Sequence, residues 1–92
     1  MPAPTAITAH ITGRVQGVAF RAFARDAAQA RGLAGWVRNE ADGSVTALIE
    51  GDGAAVDDMI SVLRRGPVHA RVKEVATAPA TPEGRDGFEI RR

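Results

Sequence analysis

Ile7, Ala9 and Ile11 alternate with Thr8, His10 and Thr12. That period of two predicts a strand over Ala6 to Thr12 with one apolar and one polar face. A sheet wetted on one side is usually antiparallel or mixed. The period then lengthens. Phe20, Phe23, Ala24, Ala27 and Ala28 recur at helical spacing, while Arg25, Asp26 and Gln29 fall on the opposite side. This predicts a helix over Ala22 to Arg31, ended at Arg31-Gly32 by a cation near the last carbonyls and a glycine.

Leu33 to Glu40 reads as a second strand, and Ala41-Asp42-Gly43-Ser44 as a hairpin turn. Val45, Ala47 and Ile49 alternate along the returning strand. A second helix opens at Gly51-Asp52-Gly53, with Asp52 as its expected N-cap. Val56, Met59, Ile60 and Leu63 form its apolar stripe, and Gly66-Pro67 stops it. Asp57, Asp58, Arg64 and Arg65 lie off the stripe and read as a solvated face. Adjacent aspartates on a helix point in different directions and do not form a catalytic pair.

Val68 to Ala78 predicts another strand. Val72 and Val75 are out of phase by one, which points to a bulge or a break. Thr77 to Asp86, with Pro79, Pro82 and Gly84, reads as a loop. Gly87 to Arg91 reads as a short closing strand with Phe88 and Ile90 on one face. Residues 1–5 read as a loose tail.

The resulting order is βαββαβ plus a short last strand. Right-handed crossovers put both helices on one side of the sheet. The expected architecture is α+β, a ferredoxin-like α/β sandwich with a mixed or antiparallel sheet. The helices should cover the Ile7/Ile11/Ile49 face and leave Thr8, His10 and Thr12 to water.

Composition narrows the function. Ninety-two residues suit a single domain, 1–92, with one modest core. A formal charge of +1 gives no electrostatic case for nucleic acid or an anionic membrane. The chain has no cysteine, so disulfides and thiolate metal sites are excluded. The opening Met-Pro-Ala-Pro-Thr is unlike a secretory signal, and no apolar run approaches the ~20 residues of a membrane helix. The expected location is cytoplasmic. His10 reads as a surface side chain, with no second ligand spaced to share a metal.

Between the first strand and first helix lies Gly13-Arg14-Val15-Gln16-Gly17-Val18-Ala19-Phe20-Arg21. Two readings are open for it. It is an ordinary glycine-rich turn, or its amides converge on an anion at the positive end of the helix, with Arg21 forking onto two phosphate oxygens. It lacks the Gly-Lys-Ser/Thr ending of the nucleotide-triphosphate loop. Asn39 is a poor strand former. Taken alone it belongs to the turn; the alternative is a carboxamide reaching a ligand with one donor and one acceptor.

The whole pattern resembles the acylphosphatase family. The resemblance is carried by Gly13 to Arg21, by Gly32-Leu-Ala-Gly-Trp-Val-Arg-Asn39, by Asp42-Gly-Ser-Val45 and by Gly51. It continues through Gly66-Pro67, Arg71-Val72 and the closing Phe88 to Arg91. It departs at Thr46, where the family often has Glu, a position the family does not use for chemistry.

The resemblance implies hydrolysis of acyl phosphates to a carboxylate and inorganic phosphate, without metal or cofactor. It implies that Arg21 binds the phosphate and that Asn39 holds the attacking water. It implies that the amides of Val15, Gln16, Gly17, Val18, Ala19 and Phe20 wrap the phosphate. The expected partners are a small acyl phosphate and inorganic phosphate, met by a monomer, with no nucleic acid and no membrane.

Two other readings compete. RNA-recognition modules share this topology but stack bases on sheet aromatics. The other is a regulatory, non-catalytic ferredoxin-like binding domain, or a carbamoyl-phosphate-binding or -hydrolysing relative of the acylphosphatase-like modules in larger carbamoyl-transfer proteins, which share the loop motif.

Overall fold

Seven elements follow one another in the computed structural model, which describes residues 4–92. They are β1 (Thr5–Arg14), α1 (Phe20–Ala30), β2 (Ala34–Asn39), β3 (Val45–Gly51), α2 (Gly53–Arg65), β4 (Arg71–Pro79) and β5 (Phe88–Arg91). The strands form one sheet in the order β4-β1-β3-β2-β5. β1 is antiparallel to β3 and β4, and β2 is antiparallel to β3. β5 lies parallel to β2. Two helices on one side of this mixed sheet make the ferredoxin-like sandwich expected from the element order.

The core is where the periodicity put it. Ala9 and Ile11 of β1, Val37 of β2, and Val45, Ala47 and Ile49 of β3 are fully buried under Phe20, Ala24 and Ala28 of α1 and Val56, Met59 and Leu63 of α2. Burying each large side chain is worth roughly 1.5–3 kcal/mol. Arg31 joins the two helices: its Nε donates to Asp58 at 2.6 Å and a terminal amino group donates to the Ala27 carbonyl at 3.0 Å. Asp58 therefore has a partner, although it lies off the apolar stripe as expected.

Several boundaries differ from expectation. The tail is shorter, because Thr5 already pairs with Gly51; residues 1–3 lie outside the described residues. β4 runs on through Thr77, Ala78 and Pro79, which pair with Ala9, Thr8 and Ile7. Pairing with β1 extends the strand into a segment whose proline signals a turn only locally; the loop is 80–87. Asp52 occupies the N-cap position of α2, but its carboxylate makes no capping hydrogen bond.

The phase slip on β4 is a bulge. Thr12 faces Glu74 and Gly13 faces Val72, so Lys73 has no partner on β1. Gly13 permits this, since a Cβ there would lie 2.1 Å from the Arg71 carbonyl oxygen.

The sheet face away from the helices holds more than Thr8, His10 and Thr12. Trp36, Leu48 and Thr8 form one cross-strand row, and Leu48 is buried. Arg38 and Arg91 each hold a guanidinium carbon 4.8 Å from the Trp36 ring centroid. Glu50, also buried, accepts from the backbone amides of Glu83 at 2.6 Å and Arg85 at 2.8 Å. The 80–87 loop is thereby folded onto this face.

Candidate active site

Strand alternation decides which side Asn39 serves. Val37 points into the helix-side core. Asn39, two residues on, shares that side, whereas Trp36, Arg38 and Glu40 belong to the other. The same rule holds on β5, where Phe88 and Ile90 pack against the core.

The segment 15–19 carries the chain from β1 into α1. Val15 is buried in the core and Val18 packs against it, so the loop is anchored from beneath. Gly17 has φ 73°, and Ala19, the N-cap of α1, has φ 60°. Ala19 is the only described non-glycine residue with positive φ. A left-handed alanine costs energy that surrounding structure must offset. It also curls the backbone so that successive N–H groups converge, as in anion-binding nests. The first intrahelical bond here runs from the Phe23 amide to the Ala19 carbonyl, 3.0 Å. The amides of Phe20, Arg21 and Ala22 precede it and have no carbonyl of their own helix to bond. The helix therefore starts at Phe20, where its apolar period begins and two residues before the expected Ala22.

A cleft of about 670 Å³ opens at this junction. It is lined by Val15, Gln16, Gly17, Ala19, Phe20, Arg21, Ala22, Asn39, Ile90 and Arg92. The loop, Arg21 and Asn39 thus meet in one hollow. Val18 is the exception among the expected loop residues; its side chain turns to the core instead. Ala22, Ile90 and Arg92 were not anticipated. The available signal for the last two was alternation on β5, but its pairing with β2 is a tertiary fact.

The loop is tied directly to the hairpin that presents Asn39. The Gln16 side-chain amide donates to the carbonyls of Glu40 at 2.7 Å and Ser44 at 2.9 Å. The hairpin is closed by Glu40 N–H to the Ser44 carbonyl at 2.9 Å. The Asp42 carboxylate accepts from the Ser44 hydroxyl at 2.5 Å and the Ser44 amide at 3.0 Å. Those bonds hold the Asp42 carboxyl below its ordinary range.

The side chains that line the cleft include two arginines and no Asp or Glu. The nearest acid along the chain, Glu40, is drawn away by Arg38, with Nε to Oε1 at 2.8 Å. That hydrogen bond lowers the Glu40 pKa against partial desolvation. Among the described residues Arg21 makes no ion pair, so its guanidinium is uncommitted. Among those residues, too, no three His, Asp or Glu side chains are grouped to hold a metal ion.

Fold and cleft define a small ferredoxin-like α/β sandwich with a site, lined by two arginines and no acidic side chain, between its first loop, first helix and hairpin. The chain belongs to the acylphosphatase family: the family model named Acylphosphatase matches residues 7–90. An acylphosphatase of Gloeobacter violaceus is 50% identical over 90 residues, covering 96% of this chain and 97% of the relative. The crystal structure of acylphosphatase from Bacillus subtilis superposes with a TM-score of 0.93 at 34% identity, covering 96% of this chain and 99% of that one. Full-length HypF in the phosphate- and nucleotide-bound form also superposes, with a TM-score of 0.93 at 27% identity. That likeness takes in all of this chain but 12% of HypF.

Proposed function

We propose that the protein is an acylphosphatase that hydrolyses the carboxyl-phosphate bond of acyl phosphates, with Arg21 and Asn39 as its catalytic residues. The observation that carries this is their convergence, from a helix and a strand, on one cleft without acidic side chains beside the curled loop.

The amides of the 15–20 loop and the Arg21 guanidinium hold the phosphoryl oxygens. Arg21 presents a planar fork that matches two of them. Asn39 orients a water in line with the bond that breaks. The water oxygen bonds to phosphorus as the phosphorus–acyl oxygen bond breaks, and the carboxylate leaves with that electron pair. The water's proton passes to a phosphate oxygen, because a carboxamide is too weak a base to take it. A carboxylate leaves without help from a general acid. Phosphoryl transfer is chiefly positioning and electrostatic stabilisation, so this sparse machinery suffices.

The reading includes a cytoplasmic monomer. The cysteine-free sequence fits that location. Among the described residues no helix is long and apolar enough to cross a membrane. A carbamoyl-phosphate module is less well supported, since the near full-length likenesses are to acylphosphatases.

The test is ultraviolet-monitored hydrolysis of benzoyl phosphate. Arg21→Ala is expected to lose at least about a hundredfold in kcat/KM, the usual cost of one such donor, with Arg21→Lys rescuing poorly. Asn39→Ala is expected to keep inorganic phosphate affinity while losing turnover. Near-normal turnover by Arg21→Ala would refute the assignment, and parallel loss of phosphate binding in Asn39→Ala would refute the water-holding role.

A further inference from the structure

We infer that Arg92 is a specificity-determining residue of this cleft, selecting acyl phosphates whose acyl group carries a carboxylate of its own. The inference rests on the acylphosphatase reading and extends it to the far end of the substrate.

Register and alternation bring Arg92 to the site. Val37 pairs with Ile90 and Arg38 with Arg91 across the parallel β2-β5 junction. One residue further, Asn39 ends β2 and Arg92 directly follows the last residue of β5. Alternation puts both on the helix side with Val37 and Ile90. Arg91 takes the other side, donating to Glu89 at 3.2 Å and lying over Trp36. Arg92 joins Arg21 in the lining, together with Ile90.

The charge count leaves Arg92 without an occupation. The lining has no acidic side chain to pair with it, and among the described residues its side chain makes no hydrogen bond or ion pair. Arg21 and the loop amides already suffice for one phosphate group. The hollow, about 670 Å³, lies in the size range of clefts that enclose whole small molecules, well beyond a bare phosphate. Ile90, half-buried, offers apolar surface for a carbon skeleton. A ligand that matches this surface has a phosphate at one end, a short carbon body and a second anion within reach of Arg92. A carboxylate suits the planar guanidinium fork.

Arg92 is exposed. Its effect is therefore that of a solvent-facing pair, about fivefold in affinity and sensitive to salt.

The experiment compares benzoyl phosphate with 4-carboxybenzoyl phosphate, whose para carboxylate cannot cyclise onto the acyl phosphate. Both are followed by ultraviolet absorbance at low salt with wild type, Arg92→Gln and Arg92→Lys. Wild type is expected to show the lower KM for the carboxylated substrate. Arg92→Gln should raise that KM about fivefold relative to the KM for benzoyl phosphate, with kcat little moved. Arg92→Lys should retain most of the preference, and added salt should erode it in wild type. An equal change in KM for both substrates would show that Arg92 acts on the shared phosphate, and no change in either would show that it is idle; each result overturns the inference. Failure of wild type to hydrolyse either substrate would instead sink the acylphosphatase reading beneath it.

Discussion

The side-chain amide of Gln16 donates at 2.7 Å to the backbone carbonyl of Glu40, the residue that follows Asn39. It donates again to the Ser44 carbonyl at 2.9 Å. One side chain therefore sets the distance between the loop beside Arg21 and the hairpin that carries Asn39. The two segments also share the core through Val15 and Val37, and the Gln16 tie adds a direct polar link at the site itself.

Gln16→Ala should loosen that assembly. Two hydrogen bonds are lost, for a cost of roughly 1–3 kcal/mol. Turnover of benzoyl phosphate is expected to fall about tenfold or more, since small displacements of positioning groups are costly. Gln16→Glu should not rescue it, because a carboxylate has no proton to give two carbonyls. Steady-state kinetics and a thermal melt on each variant check both statements. An Ala variant with wild-type kcat would show that the loop holds its place without the tie.

Ala19 is held at φ 60°, in the left-handed region. Glycine there avoids the Cβ penalty but frees the unfolded chain. Ala19→Gly is expected to stabilise the fold by up to about 1 kcal/mol, and Ala19→Val to destabilise it by more than that. Urea midpoints measure both. A stabilised glycine variant with reduced turnover would show strain retained for the geometry of the loop.

Glu50 fastens the 80–87 loop through two backbone amides. Glu50→Ala removes the acceptor of both partly buried bonds and should cost about 1–3 kcal/mol. Limited proteolysis should then cut within residues 80–87, which wild type resists. Benzoyl phosphate turnover at a permissive temperature should be little affected, because Glu50 lies on the face opposite the cleft. Unchanged thermal stability would refute the fastening role.

The hairpin responds to acid. Asp42 and Glu40 both have pKa values held below their ordinary range, by the hydrogen bonds from Ser44 and Arg38 respectively. A lowered folded-state value means stability that is present above the unfolded value and disappears as pH falls through the folded one. The window opens below roughly pH 4. Asp42→Asn should be less stable than wild type at pH 7, with the gap closing as the pH falls below about 4. Urea midpoints across that range test it; a gap independent of pH would sink the claim.

Much of this protein is legible along the chain. Alternation at Ile7/Ala9/Ile11 and Val45/Ala47/Ile49 sets the core face of two strands, since neighbouring strand residues point to opposite sides. The stripes from Phe20 and Val56 mark two amphipathic helices. Asp42-Gly43 marks the hairpin, and the mismatch of Val72 with Val75 marks the bulge that falls at Lys73. Arg21 and Asn39 were legible as site candidates because their surrounding motifs are specific, not because local chemistry singles out an arginine or an asparagine.

The rest needed three dimensions. Pro79 reads as a turn residue until pairing with Ile7 draws it into β4. Trp36 gives no sign along the chain that two guanidinium groups lie over its ring. The tie from Gln16 to the hairpin spans 24 positions to Glu40. Arg92 enters the cleft because β5 adds parallel to β2, a pairing between segments half the chain apart. Periodicity reports which side of its own element a residue takes, because that follows from local backbone geometry. Which residues meet across elements depends on how the sheet closes and how far each strand runs, and that is settled by packing and hydrogen bonding among segments distant along the chain.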